Sequence, residues 1–170
     1  MYCHGQVNVA TCQGRPSFHD MTDQLDKFVK ENDITNGILV ITSPHTTCSL
    51  FFDEDMHDRN FYGDDLLHVD ISEKMEEIVP RMTTEGQYHS PGPKHIEFGL
   101  SLTDPNYPAE KWVMLNTDAH LKSSLYGTPS ITVIIKDQQL LLGSLGRVFF
   151  VDWDTLRKRE RTVNLLLLGE

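Results

Sequence analysis

The 170-residue sequence has few cysteines and no motif that points to secretion. Cys3, Cys12 and Cys48 are odd in number and form no C-x-x-C pair, and the chain has no N-x-S/T sequon. The first residues lack the basic segment and apolar core of a signal peptide. Because structural disulfides and glycosylation belong to oxidising compartments, these absences predict a cytoplasmic protein.

Long apolar runs and a surplus of basic residues are also missing. No apolar segment approaches the roughly 18 residues that a membrane-spanning helix needs, so we expect no membrane association. Lys and Arg total 15 against 25 Asp and Glu, which gives a formal net charge of −10 with the histidines neutral. Sequence-independent nucleic-acid binding needs excess positive charge to displace phosphate counterions. The composition therefore excludes a nucleic-acid binder of that kind.

Three common catalytic motifs are absent as well. The chain contains no G-x-S-x-G nucleophile elbow, no G-x-x-x-x-G-K-[ST] phosphate loop and no G-x-G-x-x-G dinucleotide fingerprint. Gly143-Ser144-Leu145-Gly146 is too short to be a phosphate loop of a named kind. Hydride transfer and P-loop nucleotide chemistry therefore lack their usual sequence support.

The charges that are present are unevenly distributed. Residues 53–79 carry a net charge of −8, whereas the segment 157–161 carries +3. Either segment is explained by a solvated surface, the usual role of a run of like charges. The alternative for the basic segment is that it meets an anionic group, on a ligand or on a neighbouring subunit.

The apolar pattern predicts an α+β fold with a mainly antiparallel, strand-rich core and two or three helices. The aliphatic run 37–42 predicts a strand buried on both faces, and residues 82–111 have no clear periodicity and predict a long loop. Helices are predicted from Asp20 or Thr22 to before Asn36, at 64–79, and at 118–126. Strands are predicted at 6–11, 37–42, 46–52, 130–136, 139–144 with 148–153, and 162–168.

Eight histidines are a high number for this length, and three of them are candidates for chemistry. His45 follows Pro44 between two predicted strands, His120 opens the short helix, and His89 begins the long loop. Neutral imidazoles are common ligands of divalent metals, so these three could form a zinc-like site. Their spacing matches no zinc motif, and ordinary hydrogen-bonded histidines remain the alternative. Glu54 could serve as a general base, orient a histidine, or be a surface acid.

Five sequence blocks occur in order along nearly the whole chain. They are the strand 37–41 followed by His45-Thr46-Thr47-Cys48-Ser49-Leu50 and Glu54; Tyr88-His89; Asn116 with Ala119-His120-Leu121-Lys122, Leu125 and Gly127; Gly143-Ser144-Leu145-Gly146; and the basic segment 157–161 with a closing strand that ends in Gly169-Glu170. Together these blocks resemble the YjbQ-like family, whose largely uncharacterised members are often called secondary thiamine-phosphate synthases.

The resemblance implies a single YjbQ-like domain over 1–170, β-sandwich-like in style, that assembles as a homotrimer. It also implies a small anionic or phosphorylated substrate. The activity suggested for the family joins a hydroxymethylpyrimidine diphosphate to a thiazole phosphate and releases pyrophosphate. The segment at about 90–112 is longer than the family's usual spacing and is expected to form a lid or a subunit contact.

Carried over to matching positions, the resemblance assigns roles to several residues. His45, His89 and His120 would hold a divalent metal or the phosphate directly, with His95 competing for the place of His89. Glu54 and Asn116 would be catalytic, and Arg147 or Arg161 would neutralise the anion. Leu145-Gly146 replaces the family's Trp-Gln pair and Arg147 replaces a small residue, which predicts altered ligand contacts there. The alternative is a non-catalytic trimer that captures a metal or ligand in the same pocket.

Overall fold

Eight β-strands and four α-helices make up the fold in a computed structural model that describes residues 1–170. This arrangement confirms the predicted α+β class. The strands are β1 Tyr2–Ala10, β2 Ser17–Asp20, β3 Gly37–Thr42, β4 Cys48–Glu54, β5 Ser130–Lys136, β6 Gln139–Leu140, β7 Gly146–Asp152 and β8 Glu160–Gly169. The helices are α1 Thr22–Glu31, α2 Leu66–Ile78, α3 Pro93–Ser101 and α4 Thr117–Leu125, with a 3₁₀ turn at Lys111–Met114.

The strands form two antiparallel sheets. One has five strands in the order β1-β8-β3-β5-β6, and the other has three in the order β2-β7-β4. The last strand, β8, lies between β1 and β3 and pairs with both, so that Leu167 is opposite Cys3 on one side and Leu39 on the other. Every strand pairing is antiparallel, as the sequence predicts.

The main core lies between the two sheets and is closed by α1. Strand residues alternate between the faces of a sheet, so Leu39 and Leu167 point inward together while their neighbours point outward. On α1, Leu25 and Val29 are four residues apart, occupy one face and are completely buried. They pack in one cluster with Leu50, Val148 and Phe150 of the smaller sheet. Burying each such side chain stabilises the fold by about 1.5–3 kcal/mol.

A second cluster lies between the smaller sheet and the helices α2 and α4. Phe51, Val151 and Trp153 contribute from the sheet and its following residues, and Met75 and Ala119 contribute from the helices. The two helices are also joined by an ion pair, because the buried Lys122 of α4 places its Nζ 2.5 Å from Oε1 of Glu76 in α2. This layer fixes α4, which carries His120, against the sheet.

The outer face of the five-stranded sheet is only partly covered. The prediction that β3 is buried on both faces is wrong: Leu39 and Ile41 are fully buried, but Ile38 and Val40 are half-buried. Their neighbours on that face include Leu166 and Leu168 of β8. The aliphatic run therefore has one face in the core and one on the surface of the single chain.

The region 82–111 contains more regular structure than the sequence predicts. Helix α3 begins with Pro93 at its first turn, where the missing N–H costs no helical hydrogen bond. Gly99 packs so closely on Met114 that a Cβ at residue 99 would lie 2.1 Å from the Met114 sulfur. This nine-residue helix buries only Gly99. It therefore lacks the regularly spaced buried apolar side chains by which a sequence pattern predicts a helix.

Two further observations complete the fold. The short strand β2, which the sequence pattern does not predict, pairs only with β7.

None of the helices combines the length and the apolar character that crossing a membrane requires.

Candidate functional site

A cavity of about 330 Å³ lies where four parts of the chain meet. These are the loop between β3 and β4, the start of α4, the segment 95–114, and the segment 157–161 that leads into β8. Three histidines and three arginines line the cavity, which also has an apolar wall. The lining includes His45, His95, His120, Arg157, Arg159, Arg161, Thr47, Asn116, Phe98, Leu102, Tyr107, Val113 and Met114.

His45 connects the β3–β4 loop to the start of β8. Its Nε2 accepts a hydrogen bond from the Thr162 backbone N–H at 3.0 Å, and its Nδ1 lies 3.5 Å from Nη1 of Arg161. Burial and the nearby Arg161 charge lower the pKa of His45 below its usual value. At neutral pH the ring is therefore uncharged, and with its Nε2 lone pair engaged it serves mainly to hold the loop in place.

His120 differs from His45 because one ring nitrogen remains available. Burial lowers its pKa, and the charge of Asp154 and a hydrogen bond to the Thr46 backbone oppose that shift only in part. His95 lies near enough to lower the pKa of His120 further. The bond to Thr46 places the ring proton on one nitrogen, so the other nitrogen of the neutral ring can accept a hydrogen bond or a proton.

Two buried aspartates beneath the cavity fix the arginines. Asp152 and Asp154 are 0% and 1% exposed. Asp152 accepts a hydrogen bond from Nε of Arg161 at 2.8 Å, and Asp154 lies 2.8 Å from Nη2 of Arg159. Arg161 also donates to Oγ1 of Thr47 at 3.0 Å. Paired in this way, the two guanidinium groups are oriented before any ligand arrives.

Asp154 also positions Asn116, which donates from Nδ2 to Asp154 Oδ2 at 2.8 Å. The sequence analysis missed both Asp152 and Asp154. The sequence does contain an indication of their role, because the two carboxylates flank Trp153 at the end of an apolar strand. Carboxylates in such a position are expected to be buried, and a buried carboxylate needs a partner.

Arg157 is the arginine whose charge is not neutralised within the chain. It forms no salt bridge; its Nη1 donates to the Asn106 carbonyl at 3.0 Å, and its guanidinium lies 5.6 Å from the centre of the Tyr107 ring. Burial and repulsion from Arg159 and Arg161 lower the pKa of Arg157. The cavity therefore has three guanidinium groups and only two carboxylates to neutralise them. The excess positive charge suits an anionic ligand.

The structure brings some of the predicted site residues together. His45, Asn116, His120 and Arg161 line one cavity, and His95 rather than His89 completes the set of histidines. His89 is exposed and lies outside the lining.

Glu54 and Arg147 lie elsewhere, at the far end of the smaller sheet. Glu54 ends β4, about 20 Å along the strand from Cys48, and is paired with Gly146. Arg147 forms salt bridges with Asp20 and Asp23. Since β4 runs away from the cavity, Glu54 and Arg147 lie apart from the histidines in the single chain, and the roles assigned to them stay predictions. The Leu145-Gly146-Arg147 departure from the family pattern also lies outside the cavity.

The structure contains no cluster of ligands for the predicted metal site. No three His, Cys, Asp or Glu side chains lie together in a way that could hold a metal ion. In the cavity, the imidazoles stand beside three guanidinium groups. A cation would be repelled by that excess positive charge, so these residues do not fit a metal.

Comparison with known proteins shows similarity over nearly the whole chain. The family model described as UPF0047 protein YjbQ-like matches residues 6–170. A UPF0047 protein of Archaeoglobus fulgidus is 31% identical over 147 residues, which cover 86% of this chain and 89% of the relative. A UPF0047 protein of Methanocaldococcus jannaschii is 29% identical over 152 residues, covering 89% of this chain and 86% of the relative.

Solved structures are similar over the same extent. A hypothetical protein from Aeropyrum pernix superposes with a TM-score of 0.70 at 28% identity, covering 98% of each chain. A protein of unknown function from Sulfolobus solfataricus has a TM-score of 0.68 at 22% identity and covers 100% of both chains; that likeness shows the fold alone.

Proposed function

Because the chain belongs to the YjbQ-like UPF0047 family, matched over residues 6–170, and its cavity holds an unpaired arginine, we propose that it binds a small phosphorylated metabolite and transfers a group from it. The observation that carries this proposal is the excess positive charge at Arg157. Asp152 and Asp154 pair with Arg161 and Arg159. An anion would balance the remaining positive charge at Arg157, which forms no salt bridge within the chain.

The three arginines would contribute to anion binding in two different ways. Arg159 and Arg161 are held by Asp154 and Asp152, so they present fixed donors to a phosphate without reorganising. Arg157 has no carboxylate partner and is free to form a charge-assisted hydrogen bond with the ligand. Fixed donors and one free cation together make a cradle for a phosphate or diphosphate group.

His120 is the group best suited to proton transfer in this cavity. It is neutral at physiological pH, and it has a lone pair that no side chain of the protein uses. It can therefore accept a proton from an attacking group, or a hydrogen bond from a bound substrate. Asn116, oriented by Asp154, supplies a polar contact on the same side of the cavity.

A finer form of the proposal is a thiamine-phosphate synthase-like transfer from a pyrimidine diphosphate. The apolar wall formed by Phe98, Leu102, Tyr107, Val113 and Met114 supports it, since such side chains suit the organic ring of a substrate whose diphosphate meets the arginines. The homotrimer belongs to the same proposal. The half-buried apolar side chains on the outer face of the five-stranded sheet support self-association.

Replacing Arg157 by methionine tests anion binding. We expect Arg157→Met to weaken the affinity for inorganic pyrophosphate by about 10- to 100-fold, because a charge-assisted hydrogen bond contributes roughly 1.5–3 kcal/mol. Isothermal titration calorimetry measures this change. Lys158→Met is the matched control, because Lys158 is the exposed neighbour and carries the same charge. Equal losses in both variants would show a diffuse charge effect and no site at Arg157. Treatment with a chelator should leave the wild-type affinity unchanged.

Replacing His120 by glutamine tests catalysis. With a pyrimidine diphosphate and hydroxyethylthiazole as substrates, we expect pyrophosphate release by His120→Gln to fall by about 2- to 10-fold. The attacking thiazole nitrogen carries no proton, so His120 contributes a hydrogen bond to the bound substrate and takes no proton from the nucleophile. The wild-type rate should hold above pH 6.5 and decline as the pH falls through the lowered pKa of His120, because protonation removes the lone pair. His57→Gln, an exposed histidine outside the cavity, is the control. A wild-type rate no higher than that of His120→Gln would mean that the protein binds these ligands without turning them over.

A further inference from the structure

A second cavity, of about 370 Å³, lies on the other side of His45 and His120. It shares the wall formed by Pro44, His45, Thr46 and His120 with the arginine-lined cavity. The remaining lining is different, since it comes mainly from the end of α4 and from the loops that follow β3 and α4. His120 therefore stands between two compartments.

The second cavity has no charged wall. No Lys, Arg, Asp or Glu side chain lines it. Burial lowers the pKa of His45 and of His120, so both imidazoles are neutral at physiological pH. Burial also raises the pKa of the Cys48 thiol, which stays protonated. An anionic ligand would lose its hydration here without gaining a counter-charge, and that loss disfavours it.

Two hydroxyl groups of the cavity, those of Ser123 and Ser124, present acceptors. Ser123 donates its proton to the carbonyls of Thr46 and His120, at 2.8 and 3.0 Å, and Ser124 donates to the His120 carbonyl at 2.9 Å. Since each hydroxyl has one proton, what remains for a ligand at these two serines is lone pairs. The free nitrogen of His120 is an acceptor of the same kind. Ser43, which also lines the cavity, accepts a hydrogen bond from the His45 backbone N–H at 3.3 Å and keeps its own proton for a ligand. A group that both donates and accepts hydrogen bonds, as a hydroxyl does, therefore suits this lining.

We propose that this second cavity binds the second substrate of the transfer, an uncharged small molecule that carries a hydroxyl group. The proposal rests on the proposed function, because it assigns the phosphorylated donor to the arginine-lined cavity and the acceptor to its neutral neighbour. His120, which is shared by both walls, is the contact between the two substrates. An ammonium group fits less well than a hydroxyl, because no carboxylate lines this cavity to pair with it.

The test uses one acceptor in two charge states, hydroxyethylthiazole and its phosphate ester, titrated into the full chain by calorimetry with and without saturating pyrophosphate. We expect the uncharged alcohol to bind in both conditions. The phosphate ester should be displaced by pyrophosphate, because it should occupy only the arginine-lined cavity. Ser124→Trp, which places a bulky ring at an exposed position of the second cavity, should lower the affinity for the alcohol at least about tenfold more than that for pyrophosphate.

Leu121→Trp is the matched control, because Leu121 is on the same helix, is 41% exposed and lines neither cavity. It should bind the alcohol as wild type does. No binding of the alcohol, equal losses in the two tryptophan variants, or a phosphate ester that binds alongside pyrophosphate would each overturn the proposal. If pyrophosphate itself does not bind to wild type while the alcohol does, the proposed function fails and the neutral cavity stands.

Discussion

Lys122→Met should lower the free energy of unfolding by about 3–5 kcal/mol, the usual cost of removing one member of a buried ion pair. The Lys122 side chain is 2% exposed, and its Nζ lies 2.5 Å from Glu76 and 3.3 Å from Asp118. Methionine fills a similar volume but leaves the Asp118 carboxylate, which is 8% exposed, without a counter-charge. Urea unfolding followed by circular dichroism measures the change.

Lys74→Met is the matched control for this prediction. Lys74 pairs with Glu77 at 2.7 Å, but both side chains are well exposed, so its loss should leave the free energy of unfolding almost unchanged. Adding Asp118→Leu to Lys122→Met should recover much of the stability, because it removes the stranded charge while the partly exposed Glu76 turns to solvent. If Lys122→Met is as mild as Lys74→Met, the buried ion pair does not hold α2 and α4 together.

Asp152→Asn should be destabilising to a similar extent, by about 3–5 kcal/mol, for a reason that connects stability to the cavity. Asp152 accepts hydrogen bonds from Arg161 and from Thr47, at 2.8 and 3.1 Å, and lies 3.6 Å from Arg159. Asparagine keeps the shape but leaves both guanidinium groups with Asp154 as the only nearby carboxylate. Pyrophosphate should then restore part of the stability, because a bound anion replaces the missing charge.

Thermal unfolding with and without pyrophosphate separates the two parts of the Asp152 prediction. The rise in melting temperature on adding the anion should be larger for Asp152→Asn than for wild type. Asp70→Asn, at an exposed position of α2, should leave both the stability and the response to pyrophosphate unchanged. A smaller rise in Asp152→Asn than in wild type would mean that its arginines no longer face the ligand.

The sequence pattern predicts the fold well wherever burial repeats with a regular period. The apolar residues of α1 recur at helical spacing, and the strands of the large sheet are rich in aliphatic residues. The same reasoning fails for β3, because a continuous aliphatic run does not reveal that one of its faces lies at the surface. It fails for α3, because Pro and Gly, which usually break helices, serve here as its first residue and its packing surface.

The candidate site could be predicted only in part, because residues close in sequence need not be close in space. His45, Asn116, His120 and Arg161 lie in recognisable blocks that the sheet brings together. Glu54 is nine residues from His45, but β4 carries it to the opposite end of the sheet. Asp152 and Asp154 were missed for the converse reason. In sequence they are two of many acids, and only their burial reveals that they hold the arginines.

The place of β8 in the large sheet sets the order in which the molecule can assemble. Residues 160–169 lie between β1 and β3, so the strand formed by residues 2–10 has no partner until β8 has been synthesised. Contacts between such distant parts of a chain form slowly, and an unpaired strand edge is open to other chains in the meantime. The segment that carries Arg159 and Arg161 is thus also the one that closes the sheet. The arginine-lined cavity is therefore complete only once the large sheet has been closed.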